Sequence, residues 1–499
     1  MKIIIPMTGK SKRFKKAGIN TPKQFLPIIN KTIVEHTLDM FPGEKDINFI
    51  ISKEDSSNKD LDHYFEKISK YNFTIIEYQK AGPGAAVLES GLLETTDDVL
   101  INYCDFSNIW DWKEFLSFIK INSPDGVIPA YKGLHPHSIY GNDYAFLNIS
   151  GSDVLDIQEK KSFTEDKMNE YASSGSYYFK SGMLAKKYIE NAFQLKKFIN
   201  NEIYISTPYE KMIKDSLSIN LFHIDYFFQW GTPEDYQEFI YNLDEVNNIK
   251  SKKQINLKNE VNLLIPAAGD SKRFKDEGYT TSKIYLDVDG QSIINTIIDS
   301  FEKPFLTKVL IQNKDYVSDE FEQRTTDIIK IEKKTKGQAE SAYMLTDEVT
   351  NDYPLLIHSS DCILDRQTKI ELGDSDIVVF TKKNYRRGFE KKNNYGWINP
   401  NNGFVDSLSI KTAPTSKNSN IIIGTFLFKN KSLYEELYLE TQKLNSGLKE
   451  IHVDHLVQTA VSKGLKVSEV DSEKSIMLGI PLEYELFLYM KKVYEYLNK

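Results

Sequence analysis

One stretch of this sequence occurs twice: residues 3–41 read IIIPMTGKSKRFKKAGINTPKQFLPIINKTIVEHTLDMF, and residues 263–301 read LLIPAAGDSKRFKDEGYTTSKIYLDVDGQSIINTIIDSF. When Gly9 is aligned with Gly269, the two copies share 13 of 33 residues up to Phe41 without a gap. Chance does not explain such a match, and a spacing of 260 residues is far longer than the repeat of a solenoid. The sequence therefore predicts one kind of domain carried twice.

Later landmarks recur in the same order. GPGAAVLESGLLETTDDVLINYCD ends at Asp105, and TKGQAESAYMLTDEVTNDYPLLIHSSD ends at Asp361. A glycine-aromatic segment follows in each half, SSGSYYF at 173–179 and IIGTFLF at 422–428. These landmarks predict two domains, at 1–244 and 261–499. The Asn- and Lys-rich residues 245–260 are predicted to be a linker.

Within the first half, short β-branched runs alternate with amphipathic stretches. IIIP, INFIIS, FTIIEY and DVLINY are typical of strands, whereas TIVEHTLDMF has apolar residues at helical spacing. This alternation predicts an α/β fold with a mainly parallel sheet flanked by helices. Ligands of such sheets bind at the carboxyl ends of the strands, where Gly9 and Asp105 both fall.

Composition limits the partners of the chain. Its 499 residues are 40% hydrophobic and 27% charged, with a formal net charge of -8, which argues against a nucleic-acid backbone binder. No apolar run approaches the ~18 residues of a membrane span, so no membrane partner is predicted. Cys104 and Cys362 are too few for a disulfide framework, and a cytoplasmic protein is expected.

The loop after the first strand has the chemistry of a phosphate site. Gly9 allows close approach of backbone N–H groups to an anion, and Ser11 lies in the same turn. Arg13 and Lys23 are placed to neutralise a triphosphate. A basic surface loop is the simpler interpretation of this loop alone. The second copy, however, keeps the same residue types at Gly269, Ser271, Arg273 and Lys283. A P-loop is excluded, because position 4 holds Ile4 instead of its first glycine.

The spacing G-x-S-x-R-F…P-K resembles the loop of the GT-A-like sugar-phosphate nucleotidyltransferases, and the resemblance continues to WGTPEDY at 230–236. It implies two Rossmann-like GT-A domains that transfer a nucleoside monophosphate to a phosphorylated sugar or polyol and release pyrophosphate. The run HPHS…YAF…EYASSGSYYF is similar to members from capsule and surface-polysaccharide clusters. PKQFLPI…VEHTL is also similar to cytidylyltransferases of polyol phosphates. The implied nucleotide is CTP, GTP, UTP or dTTP.

The resemblance also implies roles for single residues. Gln79 and Gly84 match the residues that read the base, and Asp105 matches the aspartate that binds Mg²⁺. In the second half, the aspartate is Asp361. Residues on the acceptor side of the first half are Glu159, Lys160 and Gly175.

Both halves depart from the pattern. Gln229 stands where many members carry a second metal-binding aspartate. In the second half the base-reading positions are Glu332 and Gly337, and the Glu-Lys pair becomes Ile410-Lys411. The second half is therefore expected to be an enzyme for another acceptor or, alternatively, a nucleotide-binding regulatory or scaffold domain. A GT-A glycosyltransferase is disfavoured, since neither Asp105 nor Asp361 begins a D-x-D motif.

Overall fold

The computed structural model describes residues 1–77, 80–141, 144–257, 259–312, 328–383, 385–416 and 418–499. Contacts between Cα atoms divide the chain into two compact units. Unit 1 comprises Met1–Ile240 with Lys491–Lys499, and unit 2 comprises Tyr241–Met490.

Unit 1 is built on a sheet of ten strands within the described residues. The strands of this unit are Lys2–Pro6, Pro27–Ile28, Lys31–Thr32, Ile47–Ser52, Asn72–Ile76, Val99–Asn102, Phe106–Ile109, Gly126–Tyr131, Ala145–Ser150, Asp153–Glu159, Tyr171–Ser173, Ser176–Phe179, Ile219–His223 and Tyr226–Gln229 (β1–β14). The order in the large sheet is β11-β9-β10-β13-β8-β12-β6-β1-β4-β5. Two small sheets pair β2 with β3 and β7 with β14.

This sheet is mixed, which corrects the expectation of a mainly parallel one. Strands β6, β1, β4 and β5 run parallel, as do β8 and β13, whereas β9, β10, β11 and β12 pair antiparallel with their neighbours. The predicted β-α alternation holds for the four parallel strands only. Hairpins such as β9–β10 build the other side of the sheet, and the predicted acceptor-side residue Glu159 lies at the end of β10.

Helices cover both faces of the sheet in unit 1. They are Lys12–Lys16, Ile33–Asp39, Lys53–Ser56, Asp62–Lys67, Pro83–Glu89, Trp112–Asn122, Gly182–Gln194, Thr207–Lys214 and Pro233–Lys250 (α1–α9). Ile3 and Ile5 of β1 point into one hydrophobic core, and Ile4 points into the other. Coverage on both faces explains why this strand reads as an uninterrupted apolar run. Helix α2 begins at a capping box made by Thr32 and Glu35, within the TIVEHTLDMF segment predicted to be helical.

Unit 2 repeats this arrangement. Its strands are Asn262–Pro266, Leu306–Gln312, Ile328–Ile331, Leu355–His358, Cys362–Ile363, Ile377–Lys382, Gly396–Asn401, Phe404–Ile410, Asn420–Phe428, Val467–Asp471 and Ile476–Met477 (β15–β25). The sheet order is β17-β16-β15-β18-β23-β20-β24-β22-β21, the order of unit 1 read from β5 to β9, with β23 replacing β11 and β12. The described helices are Lys272–Asp276, Ile293–Ile298, Gln338–Thr346, Arg386–Glu390, Lys431–Leu444, Val453–Ser462 and Pro481–Leu497 (α10–α16).

The segment expected to be a linker is partly helical. Helix α9 continues to Lys250, and β15 begins at Asn262. Inside unit 2 the carboxylate of Glu245 accepts hydrogen bonds from Lys382 Nζ at 2.8 Å and from Arg387 at 3.4 Å. Residues 241–250 thus contribute buried polar contacts to unit 2. In the described parts of the chain, none of the helices combines the length and apolar character that crossing a membrane requires.

Candidate functional site

A cleft of ≈ 460 Å³ opens in unit 1 at the carboxyl ends of β1 and β6. A volume of this size falls in the range of small-molecule sites. Its walls contain most of the residues that the sequence singles out in the first half: Gly9, Ser11, Arg13, Lys23, Asp105, Glu159, Lys160 and Gly175. The structure therefore brings the loop, the aspartate and the acceptor-side residues into one space.

The loop between β1 and α1 has a defined backbone conformation. Ser11 is left-handed, with φ 48° and ψ 36°, and its Oγ accepts the backbone N–H of Lys23 at 3.0 Å. This bond ties the turn to the segment that carries the lysine. A Cβ on Gly9 would meet nothing within 4 Å, so the glycine leaves space open above the loop.

Lys23 and Asp105 form an ion pair at the floor of the cleft, where the side chains are 23% and 21% exposed. Burial, the largest single influence, lowers the pKa of Lys23, but the charge and hydrogen bond of Asp105, with a smaller contribution from Cys104, together outweigh it, and the pKa is raised. The lysine is therefore held as an ammonium group against the carboxylate. The sequence predicted both residues for the site but not this contact between them.

Asp105 is also close to the Trp-Gly turn that follows β14. The N–H of Trp230 donates to the backbone oxygen of Asp105 at 2.8 Å, and a Cβ on Gly231 would lie 3.2 Å from Oδ2. Gln229 Nε2 donates to Asp235 at 2.8 Å, which turns its Oε1 toward the position of Gly231 Cβ, 3.9 Å away. Carboxylate and amide oxygens suit Mg²⁺. Asp105 and Gln229 thus fit the metal that the family resemblance implies.

The residues predicted for the acceptor side also line this cleft. Glu159 Oε2 accepts a hydrogen bond from Ser206 Oγ at 2.6 Å. Lys160 has φ 58°, and its Nζ donates to Tyr204 Oη at 3.2 Å. The Tyr204 hydroxyl in turn donates to Glu202 at 2.9 Å. Glu202 and Tyr204 also line the cleft, and the sequence analysis missed them because the segment NEIYIS carries no motif.

Gly175 has a structural cause of its own. Its φ is +95°, and a Cβ would lie 2.9 Å from Phe106 and 3.1 Å from Tyr103. Only glycine combines this backbone conformation with this close approach. It lines the cleft, and its role on the acceptor side stays a prediction.

Of the two residues predicted to read the base, only Gly84 lies in the described part of the chain. Gln79 lies outside the described residues. Gly84 packs against Ile203, whose oxygen accepts its N–H at 3.0 Å, whereas Gly82 lines the cleft. In unit 2, Ala339 makes the corresponding bond to Ile451, at 3.1 Å. This bond makes Gly337 the equivalent of Gly82.

The sequence comparison, which paired Gly337 with Gly84, was therefore wrong by two positions in this segment. Gly337 has φ +119° and precedes α12 as Gly82, with φ +85°, precedes α5. By the same spacing, Glu332 corresponds to Glu77 and is exposed after β17. Glycine spacing alone does not align the two copies here, because GPG at 82–84 corresponds to GQA at 337–339, which keeps only the first of the two glycines.

The loop of unit 2 repeats the geometry of unit 1. Ser271 is left-handed at φ 50°, and its Oγ accepts the N–H of Lys283 at 3.1 Å. Lys283 Nζ pairs with Asp361, which also accepts a hydrogen bond from Ser359. Burial, the largest single influence, raises the pKa of Asp361, but the charge of Lys283 and the hydrogen bonds from Lys283 and Ser359 together outweigh it, and the pKa is lowered. Arg273 acts on the same region, since its charge disfavours the protonated form of Lys411.

The turn beside Asp361 differs from its counterpart. Leu478 N–H donates to the oxygen of Asp361 at 2.8 Å, as Trp230 does to Asp105, so Met477 occupies the position of Gln229. Glu483 occupies that of Asp235 and accepts the N–H of Gly479 at 3.0 Å. Unit 2 therefore lacks the amide oxygen beside its aspartate and has a buried carboxylate nearby.

Histidine and cysteine chemistry has no support here. Among the described residues, no group of three or more His, Cys, Asp or Glu side chains could hold a metal ion. His137 is buried against Tyr131 Oη at 2.8 Å, and burial lowers its pKa. Burial raises the pKa of the Cys104 thiol to about 12, so it is not a thiolate.

The first half of the chain is similar to known proteins. Residues 2–243 match the nucleotidyl transferase family. The D-glycero-alpha-D-manno-heptose 1-phosphate guanylyltransferase of Campylobacter jejuni is 26% identical over 246 residues, 48% of this chain and 100% of its own length. A putative mannose-1-phosphate guanyltransferase of Sulfolobus acidocaldarius is 22% identical over 185 residues, 37% of this chain and 49% of its own.

Among solved structures, a nucleoside-diphosphate-sugar pyrophosphorylase of Vibrio cholerae is 20% identical, with a TM-score of 0.38. It covers 48% of this chain and 99% of its own. The first half of this chain is thus similar to the nucleotidyl transferases, whose family model matches residues 2–243.

Proposed function

We propose that unit 1 transfers the nucleoside monophosphate of an NTP to the phosphate of a phosphorylated sugar or polyol and releases pyrophosphate. The observation that carries this proposal is the single cleft whose lining includes Lys23, Asp105 and Lys160. We place the reaction in the cytoplasm, and its product would serve as a precursor for a capsule or surface polysaccharide.

Relatives support a sugar phosphate as the acceptor. The heptose 1-phosphate guanylyltransferase is matched over its full length, and its name describes a sugar phosphate and a guanylyl donor. Two 2-C-methyl-D-erythritol 4-phosphate cytidylyltransferases are 30% and 34% identical over 44% and 41% of their lengths. A sugar 1-phosphate with GTP is the first pair to test, and CTP, UTP, dTTP and ATP follow.

The transfer requires positioning and charge stabilisation rather than a nucleophilic side chain. An oxygen of the acceptor phosphate attacks the α-phosphorus, and the bond to the departing pyrophosphate breaks. N–H groups of the loop at Gly9, together with Arg13 and Lys23, neutralise the charge that builds on the pyrophosphate. Asp105 and Gln229 would hold Mg²⁺, which supplies Lewis-acid stabilisation of phosphate oxygens when bound.

The acceptor-side residues of the cleft orient the acceptor. Lys160 donates to the acceptor phosphate from a position that Tyr204 fixes at 3.2 Å. Glu159 and Glu202 are carboxylates in the same cleft and accept hydrogen bonds from sugar or polyol hydroxyls. Because these groups line the same cleft as the loop, they would hold the attacking oxygen near the α-phosphorus.

The test measures pyrophosphate release by the full chain with each of the five NTPs. The acceptors are D-glycero-alpha-D-manno-heptose 1-phosphate, mannose 1-phosphate and glycerol 3-phosphate. Replacing Lys160 by Met is expected to raise the acceptor KM about 10- to 100-fold, the value of one charged hydrogen bond, without changing nucleotide Kd. Lys161→Met is the matched control, because its side chain is exposed and outside the cleft. If the chain binds a nucleotide but releases no pyrophosphate from it in the presence of any of these acceptors, the proposal is contradicted.

A further inference from the structure

Unit 2 retains the lysine of the acceptor side in the same backbone setting. Lys411 has φ 52° and Lys160 has φ 58°, and each follows the second strand of a hairpin. The N–H of Lys160 donates to the oxygen of Tyr144 at 2.8 Å, and that of Lys411 donates to Tyr395 at 3.1 Å. The two lysines therefore occupy equivalent positions.

The carboxylate beside that lysine has moved to the opposite element. Ile410 occupies the position of Glu159, so the sequence shows only half of the acidic-basic pair. Ile203 and Ile451 accept equivalent hydrogen bonds, and three residues later come Ser206 and Asp454. Since Ser206 hydrogen-bonds Glu159 in unit 1, the two positions are neighbours in space. Asp454 restores the acid at this place in unit 2.

Asp454 is a buried acid. The residue is 9% exposed, and among the described residues its carboxylate has no hydrogen-bond partner. A Cβ on Gly396 would lie 2.6 Å from its Oδ2, so this glycine makes the room for the acid. Burial raises the pKa of Asp454 to about 6, and the charge of Lys411 opposes that rise. A buried acceptor in this state is suited to a hydroxyl donor of a ligand.

Lys411 is exposed as a residue, but its ammonium group is partly desolvated and stands among charges of both signs. The desolvation lowers the pKa of Lys411, Asp454 and Asp361 oppose this shift, and Arg273 adds to it. Its Nζ donates to the oxygen of Asn394 at 2.6 Å. Lys411 thus interacts electrostatically with Asp454 and also with Arg273 of the loop and with Asp361.

We propose that unit 2 contains a second acceptor site, which binds a phosphorylated polyol or sugar through Lys411 and Asp454. The ammonium group of Lys411 binds the phosphate, and the carboxylate accepts a hydrogen bond from a hydroxyl of the same molecule. Its ligand differs from that of unit 1, because Ile410 and His452 replace Glu159 and Tyr204. This inference goes beyond the proposed function, which concerns unit 1 alone.

The test uses the full chain with Lys160→Met, which removes the lysine of the unit 1 site. Glycerol 3-phosphate, mannose 1-phosphate and inorganic phosphate are titrated by calorimetry. We expect one of the two phosphorylated alcohols to bind, and adding Lys411→Met is expected to weaken that binding at least tenfold. Lys443→Met, an exposed lysine in the last turn of α14, is the matched control. Loss of all binding in the Lys160→Met chain, or unchanged binding after Lys411→Met, would overturn the proposal.

A second comparison separates a polyol-phosphate site from a simple anion site. In the same Lys160→Met chain, Asp454→Ser is expected to weaken binding of the phosphorylated alcohol but not of inorganic phosphate, since phosphate alone has no hydroxyl to bridge. The double variant Ile410→Glu/Asp454→Ser rebuilds the arrangement of unit 1 and is expected to restore binding. Equal effects on alcohol phosphate and inorganic phosphate would show an anion site only and would refute the proposed ligand.

Discussion

Lys23 and Asp105 show how much of the chemistry rests on single residues. The ammonium group lies against the carboxylate, and Lys283 repeats this contact with Asp361 in the second copy of the loop. If either partner were removed, the other would remain as an unpaired and partly buried charge. The same pair faces the space in which phosphates and a metal would bind, so each residue is expected to matter for turnover more than for folding.

Replacing Lys23 by Ala is expected to reduce turnover by unit 1 about 100-fold or more, because one preorganised charge at the pyrophosphate is lost. The change leaves Asp105 21% exposed to water, so the unit stays folded. Pyrophosphate release and thermal unfolding of the full chain check both points. Lys16→Ala is the control, since Lys16 is exposed on the neighbouring helix α1. A folded Lys23→Ala protein with full turnover would exclude the assigned role.

Asp454 gives a prediction for pH. Its pKa is raised to about 6, so the native state binds a proton that the unfolded chain releases near pH ~4. This proton stabilises the fold below pH ~4, and the contribution is lost as the pH rises through about 6. Between pH 4 and 7 the protein is expected to lose about 3 kcal/mol relative to Asp454→Asn, measured by denaturant unfolding. Parallel pH profiles of the two proteins would show that Asp454 is not perturbed.

Site residues that belong to one short motif could be predicted from the sequence. Gly9, Ser11, Arg13 and Lys23 come from one loop, and the structure gathers them at one cleft. Asp454 could not be found in this way, because its relation to Lys411 depends on a hairpin and a helix 43 positions apart in sequence. Pairs that form across elements leave no spacing signal in a single sequence.

Among the elements, helix α9 has a role that its composition conceals. Polar residues from Glu245 onward suggested a connector, yet Glu245 is buried with Lys382, whose side chain is 0% exposed. Lys382 also lies over the ring of Tyr241, 4.5 Å from its centroid. Composition does not distinguish a buried polar residue of a helix from a solvent-exposed one, because the difference lies in the partner that the fold provides. The domain boundary near 244 remains a prediction.

Removing the carboxylate of Glu245 is expected to destabilise unit 2. Glu245→Ala leaves Lys382 as an uncompensated buried charge, which costs about 3–5 kcal/mol. Hydrogen exchange of peptides from β20, which contains Lys382, measures this loss in the full chain. Gln237→Ala on the same helix is the control, as its exposed side chain should contribute less than ~0.5 kcal/mol. Unchanged exchange in Glu245→Ala would show that the buried pair does not stabilise the unit.

Element types were easier to predict than their pairing. The four strands and the helix after Thr32 were confirmed, since their apolar spacing is set by burial on one or two faces. The antiparallel half of each sheet was not predicted. Pairing of β9 with β10 and of β11 with β8 is decided by turns and long-range contacts, which periodicity does not encode.

For the whole molecule, the two units share a strand order and the same contacts around Ser11 and Ser271. They differ beside the aspartate, where Met477 replaces Gln229, and on the acceptor side. We infer that one ancestral domain was duplicated and that the acceptor sites then diverged. The nucleotide-facing loop is the common part, so both units are expected to bind an NTP.

The most direct measurement is calorimetry of ATP, CTP, GTP, UTP and dTTP with Mg²⁺, on the intact chain and on Lys23→Ala and Lys283→Ala. It requires no knowledge of either acceptor. The account predicts two binding events for the intact chain, with one lost in each variant. Binding that disappears with Lys23 alone would refute a nucleotide site in unit 2, and no binding by the intact chain would contradict nucleotide transfer by either unit.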